Sequence, residues 1–131
     1  MEINNNIKSH LLRLYQIALV DDEFLKEEWD LLVFFAKSRG VSRKQLEETL
    51  LNPVGEIIYP EQEKEKLDYL LDLSRMMWVD GKVTDEERTL FFKFYDNFGL
   101  PHEHRDLIVD TILDKKNLEC SNDKLIDIIL F

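Results

Sequence analysis

The chain has 131 residues, with 27 Asp or Glu against 17 Lys or Arg, a formal net charge of −10. Hydrophobic residues at 44% and charged residues at 34% are ordinary globular proportions, which excludes overall disorder and suits one domain with a sizeable core. The acid excess speaks against nucleic acid as the main partner, because phosphate backbones are held by basic surfaces, and a single cysteine, Cys120, excludes an intrachain disulfide framework.

Residues 1–6 carry neither the basic nor the apolar region of a secretion signal. The longest purely apolar run, residues 31–36, is too short to span a bilayer. The expectation is a soluble, reduced, cytoplasmic protein without a transmembrane segment.

The elements follow in chain order. Ile7, Leu11, Leu14 and Ala18 recur at helical steps and predict a first helix. Trp29, Leu32, Val33 and Ala36 repeat that spacing, and Gly40 follows where a left-handed stop is wanted. Ser42 with Gln45 fits a capping box that opens a third helix to about Leu51. Residues 52–60 then read as the irregular linker. Leu67, Leu70, Leu71, Ser74, Met77 and Trp78 predict a long fourth helix, preceded by a solvated charged start at residues 61–66. Thr84 with Glu87 forms a second capping box, followed by Leu90, Phe91, Phe94 and Phe98 on one face and Gly99 at the stop. Pro101 suits the first turn of a sixth helix carrying Leu107, Ile108 and Ile112. Ser121 caps a last helix, about 121–131, with Leu125, Ile126, Ile129 and Leu130. No strand pattern stands out, although residues 31–36 alone would also fit a buried strand.

An internal repeat decides that ambiguity. Sliding the chain by 59 residues pairs positions 10–50 with 69–109 without a gap, and ten of the 41 pairs are identical. Roughly three would match by chance at typical residue frequencies. The identities include Leu14/Leu73, Asp21/Asp80, Glu28/Glu87, Leu31/Leu90, Phe35/Phe94 and Gly40/Gly99. Residues 31–36 therefore inherit the helical spacing of their partners. The expected fold is all-α: about seven helices in a single bundle with an internal two-fold repeat. Unit 1 spans about 7–51, unit 2 about 61–114, and the C-terminal helix completes a single domain over 1–131. Leu14, Leu31, Phe35, Leu73, Leu90 and Phe94 are the expected core.

The second unit reads Met76-Met77-Trp78-Val79-Asp80-Gly81-Lys82-Val83-Thr84-Asp85-Glu86-Glu87, then an apolar stretch, then Phe98-Gly99-Leu100. This resembles the tellurite-resistance TerB-like family, whose signature is an apolar helix end, Asp-Gly, a hydrophobic residue, and a Glu seven residues after the Asp. Residues 20–28 resemble a degenerate copy, with Asp22 in place of the glycine and Leu25 where a capping Ser or Thr would stand. The likeness covers about residues 7–113. It implies a seven-helix, non-enzymatic domain whose acidic clusters bind a divalent cation such as Ca²⁺ or Mg²⁺. It also implies protein partners in stress-response or membrane-proximal assemblies, and similar domains occur beside J-domains. Carried onto this chain, the metal-site residues are Asp80 and Glu87, with Asp21 and Glu28 in the first unit.

From the residues themselves, two readings of the acidic turn stand open. Converging carboxylates from Asp80 and Glu87 would supply the oxygen ligands that hard cations need. Alternatively, Glu87 closes a capping box on Thr84, and Asp80 accepts from the turn that Gly81 reverses with a positive φ. The run 80–87 also matches the second half of an EF-hand loop, but Met76 and Trp78 would fill its first ligand positions, so it is not one. His102-Glu103-His104 lacks zinc-protease spacing, with its two histidines on different helix faces. Cys120 has no evident activating partner. The chain has no Gly-rich phosphate loop, and a metal-dependent helical hydrolase would need Glu-x-x-His pairs that are absent. The alternative to a cation-binding domain is a metal-independent protein–protein adaptor, with Trp29, Phe34 and Phe92 as candidates for an exposed apolar patch.

Overall fold

Helix starts are set locally, by side chains that satisfy backbone N–H groups no earlier turn can reach. Ser42 accepts from the Gln45 N–H at 3.2 Å while the Gln45 side chain accepts from the Ser42 N–H at 2.9 Å. Thr84 and Glu87 repeat that reciprocal arrangement, and Ser121 accepts from the Lys124 N–H at 3.2 Å. Helix ends are set by glycine: Gly40 and Gly99 take φ of 78° and 73°, the left-handed conformation in which a Cβ is strained.

The computed structural model describes residues 4–18, 26–52 and 58–130, apart from the side chain of Asp80. All regular structure among them is helical. The α-helices are α1 (Asn5–Ala18), α2 (Lys26–Ser38), α3 (Arg43–Leu51), α4 (Glu63–Met77), α5 (Asp85–Asn97), α6 (Arg105–Ile112) and α7 (Asn122–Leu130). Short 3₁₀ turns lie at Trp78–Asp80 and Lys115–Asn117. Among the described residues no helix is long and apolar enough to cross a membrane. The chain divides into two compact units, Met1–Tyr59 and Pro60–Phe131, with the division inside the stretch 52–60 that the sequence marks as a linker.

In the first unit α1 packs against α2 and α3, and α2 against α3. Leu11, Leu14 and Ile17 from α1, Leu32, Phe35 and Ala36 from α2, and Val41 and Leu46 beyond it are buried. Each large aliphatic side chain removed from water contributes about 1.5–3 kcal/mol, which is what holds short helices that would not persist alone. Arg13 is also buried; its guanidinium donates to the Ile58 carbonyl at 2.8 Å and lies 4.9 Å from the Tyr59 ring centre. Ser9 Oγ accepts from the Ile58 N–H at 2.9 Å, so α1 holds the chain that leaves this unit.

In the second unit α4 is the central element, packing against α5, α6 and α7. Its buried Leu67, Leu70, Leu71, Leu73, Met76 and Met77 meet a core that includes Phe91, Phe94 and Tyr95 of α5, Val109 and Ile112 of α6, and Leu125 and Ile126 of α7. Polar ties fix the register. Ser74 Oγ donates to the Ile112 carbonyl at 2.9 Å, and Trp78 Nε1 donates to the Leu113 carbonyl at 3.0 Å. Asn122, at the start of α7, donates to Asp68 at 2.7 Å and to buried Asp72 at 3.1 Å, and accepts from Arg75.

Three expectations are revised. Leu31 and Leu90 are only half-buried, and the fully buried residues are their successors Leu32 and Phe91. The pattern is shared: α2 and α5 have 13 residues each, 59 positions apart at both ends, and their burial classes agree position by position. The sixth helix starts at Arg105, not at Pro101, because residues 101–104 form a turn ending in His104 at φ 60°. Phe92 and Trp29 are half-buried rather than bare, since Arg88 and Arg105 lie over the Phe92 ring and Arg43 over Trp29.

Candidate functional site

The acidic turn is built from the end of α4 and the start of α5. Leu67 to Met77 pack α4 into the core until Trp78–Asp80 tighten into a 3₁₀ turn, and Gly81 reverses the chain at φ 89°. Nothing lies within 4 Å of where a Cβ on Gly81 would stand, so backbone conformation alone asks for glycine there. Thr84 is extended and begins α5. Its N–H and its hydroxyl both donate to Glu87 Oε1 at 3.1 Å, and its Oγ1 accepts from the Glu87 N–H at 3.1 Å. Glu87 is 3% exposed. With Asp85 and Glu86, it places three carboxylates in the first turn of α5, where the helix dipole favours negative charge.

Of the four residues assigned to a metal by resemblance, two are described through their side chains. Glu87 belongs to the capping box. Glu28 occupies the same turn of α2 and is also buried, at 8% exposure. Asp21, with the rest of the first acidic turn at 19–25, lies outside the described residues, as does the Asp80 side chain; only the Asp80 backbone is placed, at the end of the 3₁₀ turn. Among the described residues no three His, Cys, Asp or Glu side chains gather as a metal-holding group.

His102 and His104 do not lie on different faces of one helix: both precede α6, in the turn that leads into it. His102 Nδ1 is 4.0 Å from Asp96 Oδ1, and the two histidines line a shallow hollow with Arg105, Asp106 and Leu107. Cys120 is half-buried, and Arg75 donates to its carbonyl.

A smaller but more enclosed groove, which sequence reasoning missed, shares His104 with this hollow. It has a volume of about 210 Å³, with Leu67, Leu100, Ile108, Ile129 and Leu130 as apolar walls and Glu63, Glu103 and His104 as polar ones. Tyr95 lines it too and donates its hydroxyl to the Pro101 carbonyl at 2.8 Å. Burial is the main cause holding the Tyr95 phenol above its ordinary pKa; Asp96 and Glu63 push the same way, and Arg105 opposes them. No local motif marks the groove, because it is assembled from α4, α5, α6, α7 and the turn before α6.

No family model, curated protein or solved structure matches the chain.

Proposed function

We propose that the chain is a non-enzymatic, TerB-like interaction domain of a stress-response assembly, acting without a metal ion and binding partners through its acidic surface. The observation carrying the metal-independent part of this reading is the pair of hydrogen bonds from the Thr84 N–H and hydroxyl to Glu87 Oε1, on a carboxylate 3% exposed. A hard cation needs six or more oxygens facing it, whereas this oxygen serves the start of α5. The acids remaining on the surface then act as a field: a net charge of −10 attracts basic partners and speeds their encounter.

The test is capture of cellular proteins on the full chain in chelator and in millimolar Ca²⁺ or Mg²⁺, across a salt series. The proposal expects one set of captured proteins in all three media, weakening as salt rises from about 0.05 to 0.5 M. Capture that requires either cation, or turnover of a bound molecule by the purified chain, would contradict it.

A further inference from the structure

The groove of the second unit combines apolar walls with a carboxylate rim. Its volume of about 210 Å³ is below the roughly 300–1,000 Å³ of pockets that enclose whole small molecules, and suits a single large side chain. Five aliphatic residues form its walls, and the carboxylate-bearing side chains lining it are Glu63 and Glu103. Among the described residues no lysine or arginine lines it, and Lys66 Nζ lies 3.7 Å from where a Cβ on Gly99 would stand, beside Leu100. Arg105, two residues beyond Glu103, has its guanidinium 4.6 Å from the Phe92 ring centre and its Nε 3.0 Å from Asp96.

A second observation points to the same place. His104 is the non-glycine residue at positive φ among the described residues, and it lines the groove. A histidine in this conformation costs backbone energy of the kind that collects at ligand clamps. Pro101 and Glu103, from the same turn, line the groove as well, and the Tyr95 hydroxyl holds that turn by the Pro101 carbonyl.

We infer that this groove binds a short peptide segment of a partner protein, seating one large apolar side chain between α4, α6 and α7 with flanking lysines or arginines on Glu63 and Glu103. The inference rests on the interaction-domain reading and supplies the class of segment recognised. Charge complementarity selects a basic flank, and like-charge contact rejects an acidic one.

The test uses the full chain and two synthetic pentapeptides, Lys-Lys-Leu-Lys-Lys and Glu-Glu-Leu-Glu-Glu, followed by amide NMR shifts. The basic peptide is expected to move the amides of Leu100, His104, Ile108 and Ile129. Glu63→Gln with Glu103→Gln should weaken it roughly tenfold, while Glu47→Gln with Glu48→Gln on α3, an equal change in net charge, should leave it unchanged. Leu130→Lys at the groove edge should weaken it as well. Equal loss in the two paired variants, equal shifts with the acidic peptide, or no shift at those four amides would overturn the inference. Failure here with salt-sensitive partner capture intact removes the groove alone; metal-dependent capture removes the broader reading.

Discussion

Thr84 and Glu87 complete each other's hydrogen bonding: the threonine Oγ1 accepts from the glutamate N–H, and the glutamate Oε1 accepts from the threonine N–H, each at 3.1 Å. Two donors that the first turn of α5 would leave unpaired are satisfied inside four residues. Replacing Thr84 by Ala should therefore lower stability by about 0.5–2 kcal/mol in metal-free buffer, and Glu87→Gln, which keeps an accepting oxygen, should lower it less. Urea unfolding of the three chains in chelator checks the order. A Thr84→Ala chain as stable as wild type would remove the cap from the account.

Phe34 and Phe94 separate surface from core. Phe94 is 6% exposed on α5, and its truncation to Ala should cost about 3–5 kcal/mol. Phe34 is 63% exposed on α2, its ring set edge-on to Phe35 at 5.9 Å, and the same truncation should cost less than about 1 kcal/mol. Denaturant midpoints at a constant m-value measure both. Equal costs would mean that the face of α2 has been assigned wrongly.

The parts of the fold legible in the sequence are those fixed by neighbours within four residues. Ser42 with Gln45 and Thr84 with Glu87 announced helix starts; Gly40 and Gly99 announced stops; and the spacing of Phe91, Phe94 and Phe98 announced a buried face. The start of α6 is not legible locally, because Pro101 fits a first turn on local grounds. Yet the Tyr95 hydroxyl takes the Pro101 carbonyl from outside that segment, and the helix begins only after His104. Identity across the repeat points to Leu31 and Leu90 as core, but identity does not say which of two adjacent apolar positions faces inward. Trp29 and Phe92 looked like surplus apolar surface because nothing local shows that Arg43, Arg88 and Arg105 fold over them. The groove was invisible for a similar reason: Glu63, Tyr95, Glu103 and Ile129 are distant in sequence and share no spacing.

The burial of Tyr95 fixes the sign of a pH dependence expected of the second unit. Burial first, then Asp96 and Glu63, raise its phenol above the ordinary 10.0, against the opposing pull of Arg105. The folded chain thus holds that proton more tightly than the unfolded one, so the associated stability is present below pH 10.0 and is lost as pH rises through the raised value. Tyr95→Phe removes the hydrogen bond to Pro101 and should cost about 0.5–1.5 kcal/mol at neutral pH. The gap between wild type and variant should then shrink above pH 10.0, as measured by denaturant midpoints from pH 8 to about 11. A gap that widens with pH would contradict the assignment.

The proposed function has the acidic turn of residues 80–87 start a helix without holding a cation. Thermal unfolding of the wild-type chain, Asp80→Asn and Glu87→Gln, with and without millimolar Ca²⁺ or Mg²⁺, tests it most directly. On the proposed function, melting temperatures are expected to be unmoved by the cations in all three chains. A cation-induced rise in wild type that vanishes with either substitution would contradict it, because a ligand that binds only the folded state must raise its stability.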